Sequence, residues 1–93
     1  MDCVYILYSE KLKRYYIGYT ADLGTRLEFH KNAAAHKYTS KANDWNVFLK
    51  IDCHSKTQAL QIEQHIKKMK SKIYIENLLK YPEMIVKLLE KHQ

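Results

Sequence analysis

The chain alternates between apolar runs of strand length and longer stretches with helical spacing. Residues 3–8, Cys-Val-Tyr-Ile-Leu-Tyr, form an unbroken β-branched and aromatic run, and at this length such a run predicts a buried strand. Ser9–Arg14 is polar and long enough for a hairpin connection, although it lacks the Asn-Gly pair of the tightest turns. Tyr15–Tyr19 then returns as a second strand, and two runs so close in sequence should pair antiparallel. Thr20-Ala21-Asp22-Leu23 opens a helix, with Thr20 or Asp22 available as its cap. Leu23, Leu27 and His30 share one stripe of that helix, with Arg26 at its edge, and the pattern fades over residues 32–35. Gly24 weakens the helix by ~1 kcal/mol against Ala, unless it serves a close approach to the sheet.

Residues 36–46 read as a polar, basic loop, a type of segment that commonly carries function. Within it, Trp45 is expected to pack under the sheet edge, while Tyr38 sits among Lys37, Thr39 and Lys41. Val47–Cys53 predicts a third strand, with Lys50 and Asp52 alternating against apolar neighbours. Ser55-Lys56-Thr57-Gln58 is a capping box that starts a second helix. Ala59, Ile62, Ile66 and Met69 make its apolar face, Glu63 stands one step round from it, and Lys67, Lys68, Lys70 and Lys72 charge its far end. A short helix from Ile73 ends before Pro82, and Met84, Ile85, Leu88 and Leu89 mark an amphipathic C-terminal helix. The pattern predicts one α+β domain over residues 1–93, a three-stranded antiparallel sheet flanked by helices.

Composition narrows the choice of partner. With 46% hydrophobic residues and a single proline the chain is built to pack, not to stay disordered. A net charge of +6 attracts polyanions, and eight tyrosines beside basic groups suit phosphates, sugars and bases. Cys3 and Cys53 have neither CxxC nor zinc spacing and are expected to be reduced, packed thiols of a cytoplasmic protein. No apolar run approaches the ~20 residues of a membrane span. The N-terminus lacks the order of a signal peptide.

The candidate chemistry centres on Tyr16 and Gly18, which alternate on one face of the second strand and leave open backbone beside a phenol. Arg26 and His30, four apart, share a side of the following helix. A phenol, a guanidinium and an imidazole converging on bare backbone suit a phosphate. Taken singly, each has a plainer explanation: Tyr5 and Tyr16 as strand aromatics, His30 as a packing residue, Arg26 and Glu63 as surface charges. Their joint order and spacing favour the site.

Val4-Tyr5-Ile6-Leu7, then Tyr16-Ile17-Gly18, Arg26, His30 and Glu63 resemble the GIY-YIG endonuclease family, in particular small standalone members related to the nuclease domain of excision-repair incision enzymes. The resemblance extends over essentially the whole chain, including Lys37-Tyr38-Thr39 and the lysines after Glu63. It implies a three-stranded antiparallel sheet with a one-metal phosphodiesterase site. By the same resemblance Tyr5 and Tyr16 match the two motif tyrosines, Arg26 the catalytic arginine, His30 a His or Tyr position, and Glu63 the metal-binding carboxylate. The first motif lacks its usual glycine, Tyr19 stands where some relatives carry a lysine, and Asn77 is out of register with an asparagine some relatives have.

Phosphodiester hydrolysis needs an activated water, neutralised phosphoryl charge and help for the leaving oxyanion. Arg26 offers a planar, permanently charged fork for two phosphate oxygens. Mg²⁺ or Mn²⁺ on Glu63 would neutralise charge and stabilise the leaving oxygen. Tyr5, Tyr16 and His30 are all candidates for the general base. Lys37, Tyr38, Lys41, Lys67, Lys68 and Lys70 are the expected nucleic-acid contacts. The expected activity is metal-dependent DNA endonuclease, selective for structure over sequence, in repair or recombination. The alternatives are a catalytically idle nucleic-acid-binding module and an RNA-processing nuclease.

Overall fold

Three strands, β1 (Cys3–Ser9), β2 (Arg14–Thr20) and β3 (Asn46–Asp52), form an antiparallel sheet in the order β2-β1-β3. The computed structural model describes residues 1–31, 42 and 44–93, with the side chains of 29–31 left out. Four helices complete it: α1 (Leu23–Lys31), α2 (Lys56–Met69), α3 (Lys72–Lys80) and α4 (Pro82–Lys91). The α+β architecture expected from the hydrophobic pattern is therefore present, and among the described residues no helix is long and apolar enough to cross a membrane.

β1 is the central strand, which explains its lack of alternation. Cys3, Val4, Tyr5, Ile6 and Leu7 are all within 1% of complete burial, because both faces of the strand are covered. Val4 and Ile6 join Ile51 on the face that meets Ala59, Ile62 and Ile66 of α2, Ile75 and Leu78 of α3, and Leu88 of α4. Tyr5, by alternation, belongs to the other face, as do Tyr16 and Gly18 on β2. Against β3 the register slips between Ile6 and Leu7, so Phe48 is an extra residue, and its ring meets Tyr15 edge-on at 5.0 Å.

The β1–β2 connection is held by a contact that the sequence did not suggest. Ser9, fully buried, donates to Asp44 at 2.7 Å, and the other Asp44 oxygen accepts from the Lys11 amide at 2.9 Å. Those two bonds hold the Asp44 carboxyl below its ordinary range. Lys13 closes the turn in the left-handed region, at φ 54°.

The helix starts follow their caps. Asp22 accepts from the Thr25 amide at 3.2 Å, while the Thr20 hydroxyl accepts from the Asp22 amide, so the two candidates divide the task at α1. Ser55 accepts from Gln58 at α2, but Gln58 does not return the bond to Ser55. Its buried side chain instead accepts from the His54 amide and donates to the Leu89 carbonyl, which ties α2 to α4. Three details differ from expectation. Met69 is 43% exposed, since the helix ends there and α3 turns away from its face. Lys70 takes the left-handed C-cap position that glycine usually fills. Gly24 has no close neighbour: a Cβ there would meet only Asp22 Oδ1, at 3.6 Å, so it serves no approach to the sheet. Cys3 and Cys53 are buried free thiols.

Candidate active site

The register of β1 and β2 sets Tyr5 opposite Gly18, and this pairing explains why a glycine stands there. The Tyr5 ring lies across the Gly18 backbone so closely that a Cβ would come 2.5 Å from its Oη and 2.6 Å from its Cζ. Tyr5 is 1% exposed, so its ring has no free space into which to swing. Gly18 is thus the slot that admits the phenol, and no positive φ is involved.

Two strand positions along from Gly18, Tyr16 brings its ring to 6.2 Å from that of Tyr5, tilted by 39°. The two phenols also share a hydrogen bond that opposes ionisation of Tyr5 and favours that of Tyr16, as expected if Tyr5 donates to the Tyr16 oxygen. Burial, the Tyr16 neighbour and Glu63 push Tyr5 well above the ordinary phenol value, with Arg26 acting against them. Burial also raises Tyr16, but there Arg26 and the Tyr5 hydroxyl both pull downward. Both phenols are held above the ordinary value, Tyr5 more firmly than Tyr16, where Arg26 and the Tyr5 hydroxyl offset part of the effect of burial and Glu63.

Arg26 and Glu63 each act on both phenols. Arg26 is half-buried on α1, placed by the turn that Thr20 and Asp22 form after β2. Glu63 comes from α2, which packs against β1 and β2, and its charge acts on both phenols. The Glu63 side chain is 13% exposed and pairs with Lys67 one turn on, at 3.4 Å. Four elements therefore supply the four residues Tyr5, Tyr16, Arg26 and Glu63 to one place. Trp45 adds a wall, meeting Tyr16 edge-on at 6.5 Å.

The donor set fits one hydrated divalent ion. Among the described residues no group of three or more His, Cys, Asp or Glu side chains could hold a metal, so Glu63 would act as a single carboxylate with water completing the shell. That is the habit of Mg²⁺, which keeps several waters, and it is unlike the closed ligand sets of zinc.

The remaining predicted residues divide. His30 belongs to α1, but its side chain lies outside the described residues, as do Lys37, Tyr38 and Lys41. Lys67 lines a cleft of about 310 Å³ with Tyr15, Tyr16 and Ile17, which Tyr5, Arg26 and Glu63 do not line. Lys70 lines the adjoining cleft, whereas Lys68 lines a separate cavity with His65 and His92. Tyr19, at the lysine position of some relatives, donates to Asp2 at 2.7 Å. Arg14 and Lys72 were not among the expected contacts, although Lys72 belonged to the lysine run at the end of α2, and both line the cleft with Lys70. Their spacing of nearly sixty residues left no local signal, beyond charge, that could have joined them.

A family model described as the GIY-YIG catalytic domain matches residues 1–77. Comparison with curated proteins gave no match, and neither did comparison with solved structures.

Proposed function

The chain belongs to the GIY-YIG catalytic-domain family, whose members are nucleases, and from that premise we propose that it is a divalent-metal-dependent endonuclease hydrolysing DNA phosphodiester bonds. The observation that carries this reading is the convergence of Tyr5, Tyr16, Arg26 and Glu63 from four separate elements onto one patch of the sheet. Structural charges need no such meeting, and a module that only binds needs no carboxylate beside two phenols.

Arg26 binds two oxygens of the scissile phosphate and balances the negative charge that builds on them. Tyr16 takes the proton of the attacking water. Tyr5 steadies the resulting phenolate by donating its own proton into a hydrogen bond, a role that suits its greater resistance to ionisation. Glu63 would hold Mg²⁺ or Mn²⁺, which when bound supplies charge neutralisation at the phosphate and the leaving 3′-oxygen. Lys67, which pairs with Glu63, is a candidate contact for the substrate phosphates. His30, from the same helix as Arg26, is a candidate relay for the proton.

No feature of the described residues forms a base-reading element such as a zinc finger, so strand structure rather than sequence is proposed to select the target, in repair or recombination. The test is incubation of the protein with branched, single-stranded and duplex DNA in Mg²⁺, Mn²⁺ or EDTA, beside Glu63→Ala. Metal-dependent nicking that disappears in Glu63→Ala is the expected result. Binding without cleavage in either metal would instead make this a nucleic-acid-binding module.

A further inference from the structure

Beside the depression that Tyr16 lines at the β2 edge, and sharing Tyr15, Ile17 and Lys67 with it, runs a second one of about 330 Å³. Arg14, Lys67, Lys70 and Lys72 place four cationic side chains around it, above an apolar base to which Ile17 contributes. The carboxylates nearby are Glu63, paired with Lys67, and Glu76, which accepts from the Tyr15 hydroxyl at 3.3 Å. The balance of charge around the depression is positive.

One of these cations is held in place by the fold. The Lys72 ammonium donates at 2.9 Å to the carbonyl of Lys13, the left-handed residue of the β1–β2 turn. That bond ties the start of α3 to the hairpin and leaves Lys72 further protons to donate. The backbone of Lys70 is set between α2 and α3 by its left-handed conformation and by its amide, which donates to the Lys67 carbonyl. Cations held in place before binding lose less freedom when a ligand arrives.

We infer that this cleft is the track for the strand being cut, gripping its backbone as a single strand on one side of the scissile phosphate, with Arg14, Lys70 and Lys72 as phosphate contacts. The inference rests on the nuclease reading for the identity of the neighbouring site, but binding tests it separately. A single strand suits the cleft better than a duplex because its base is apolar and flanked by the Tyr15 ring. Such a floor accepts sugars and unstacked bases, which a duplex keeps inside its own stack.

The experiment measures anisotropy of a labelled oligothymidylate and of a labelled duplex in EDTA, where no cleavage occurs, across a range of salt. The variant Arg14→Gln/Lys70→Gly/Lys72→Gln is compared with Lys56→Gln/Lys87→Gln/Lys91→Gln. The second carries the same charge change at the start of α2 and on the α4 side of His65. The cleft variant should lower the log–log salt slope for single strand by about 2, from three phosphate contacts at ~0.7 each, and the distal variant by less than half of that. Equal falls in both variants, no fall in either, or a loss confined to the duplex would overturn the proposal. Lys70→Gly alone removes one cation where glycine suits the backbone, so it tests the track even if the triple variant is unstable; its expected fall is about 0.7. Hydrolysis of bis(p-nitrophenyl) phosphate by the unaltered protein in Mn²⁺ reports on the nuclease reading alone, so failure of either idea is recognisable.

Discussion

Replacing Gly18 with alanine tests the closest contact in the site. The added Cβ would lie 2.5 Å from Tyr5 Oη, 2.6 Å from Cζ and 2.9 Å from Cε1, closer than side-chain carbons tolerate. The clashing atoms belong to a rigid ring that is 1% exposed, so relief requires the ring or the β1–β2 pairing to shift. Overpacking of this kind destabilises by about 1–3 kcal/mol, and the smaller backbone entropy of alanine offsets ~0.5–1 kcal/mol of that. A net loss of about 1–2 kcal/mol corresponds, for a domain of this size, to a fall in Tm of about 4–16 °C. Circular dichroism melting and urea titration would read it. The second half of a double-mutant cycle supplies the control: with Tyr5→Leu the ring is gone, and Gly18→Ala should then change stability by no more than about 0.5 kcal/mol. Cleavage should fall with the first substitution, because a displaced Tyr5 no longer donates to Tyr16. An unchanged Tm for Gly18→Ala, or the same loss with and without the ring, would refute the contact as the reason for the glycine.

Other outcomes follow from the same geometry. Gly24→Ala, where a Cβ meets only ordinary contact, should stabilise the protein by up to ~1 kcal/mol in urea titration and leave cleavage unchanged. Tyr5 and Tyr16 are raised above the ordinary phenol value, so the folded state keeps protons that the unfolded chain gives up. Their contribution to stability is complete below about pH 10 and declines as pH rises beyond it; Tyr5→Phe should flatten that alkaline limb in denaturation series. His65 has the opposite sign: burial, with Lys91, His92 and Lys68 nearby, lowers it below its ordinary 6.5. The stability it contributes is present above that value and lost as pH falls through the lowered one, so His65→Gln should reduce the acid-side slope of Tm against pH.

Much of this protein is legible in the chain itself. The run Cys3–Tyr8 is too short and too β-branched for a helix, and Tyr15–Tyr19 follows too soon to do anything but pair with it. Ser55 and Pro82 mark helix starts because capping and ring geometry act within a single turn. Tyr5, Tyr16, Arg26 and Glu63 were nameable together through the family resemblance that their order and spacing carry, and the tertiary structure brings those four together. What the chain could not disclose depends on contacts between residues distant in sequence. The β1–β2 register places the Tyr5 ring on Gly18, and the shared hydrogen bond separates two phenols that look alike in sequence. Asp44 reaches back to Ser9, and Gln58 leaves its expected capping partner for Leu89 on another helix. The rotation of α2 turns Lys67 toward Tyr16 and Lys68 toward His65, although the two are neighbours on the chain. Periodicity and caps are energies of a few adjacent residues, so sequence alone determines the elements. Register and docking depend on which distant surfaces fill one another, so only the folded molecule decides which phenol is held more firmly protonated and which lysines lie near Tyr16.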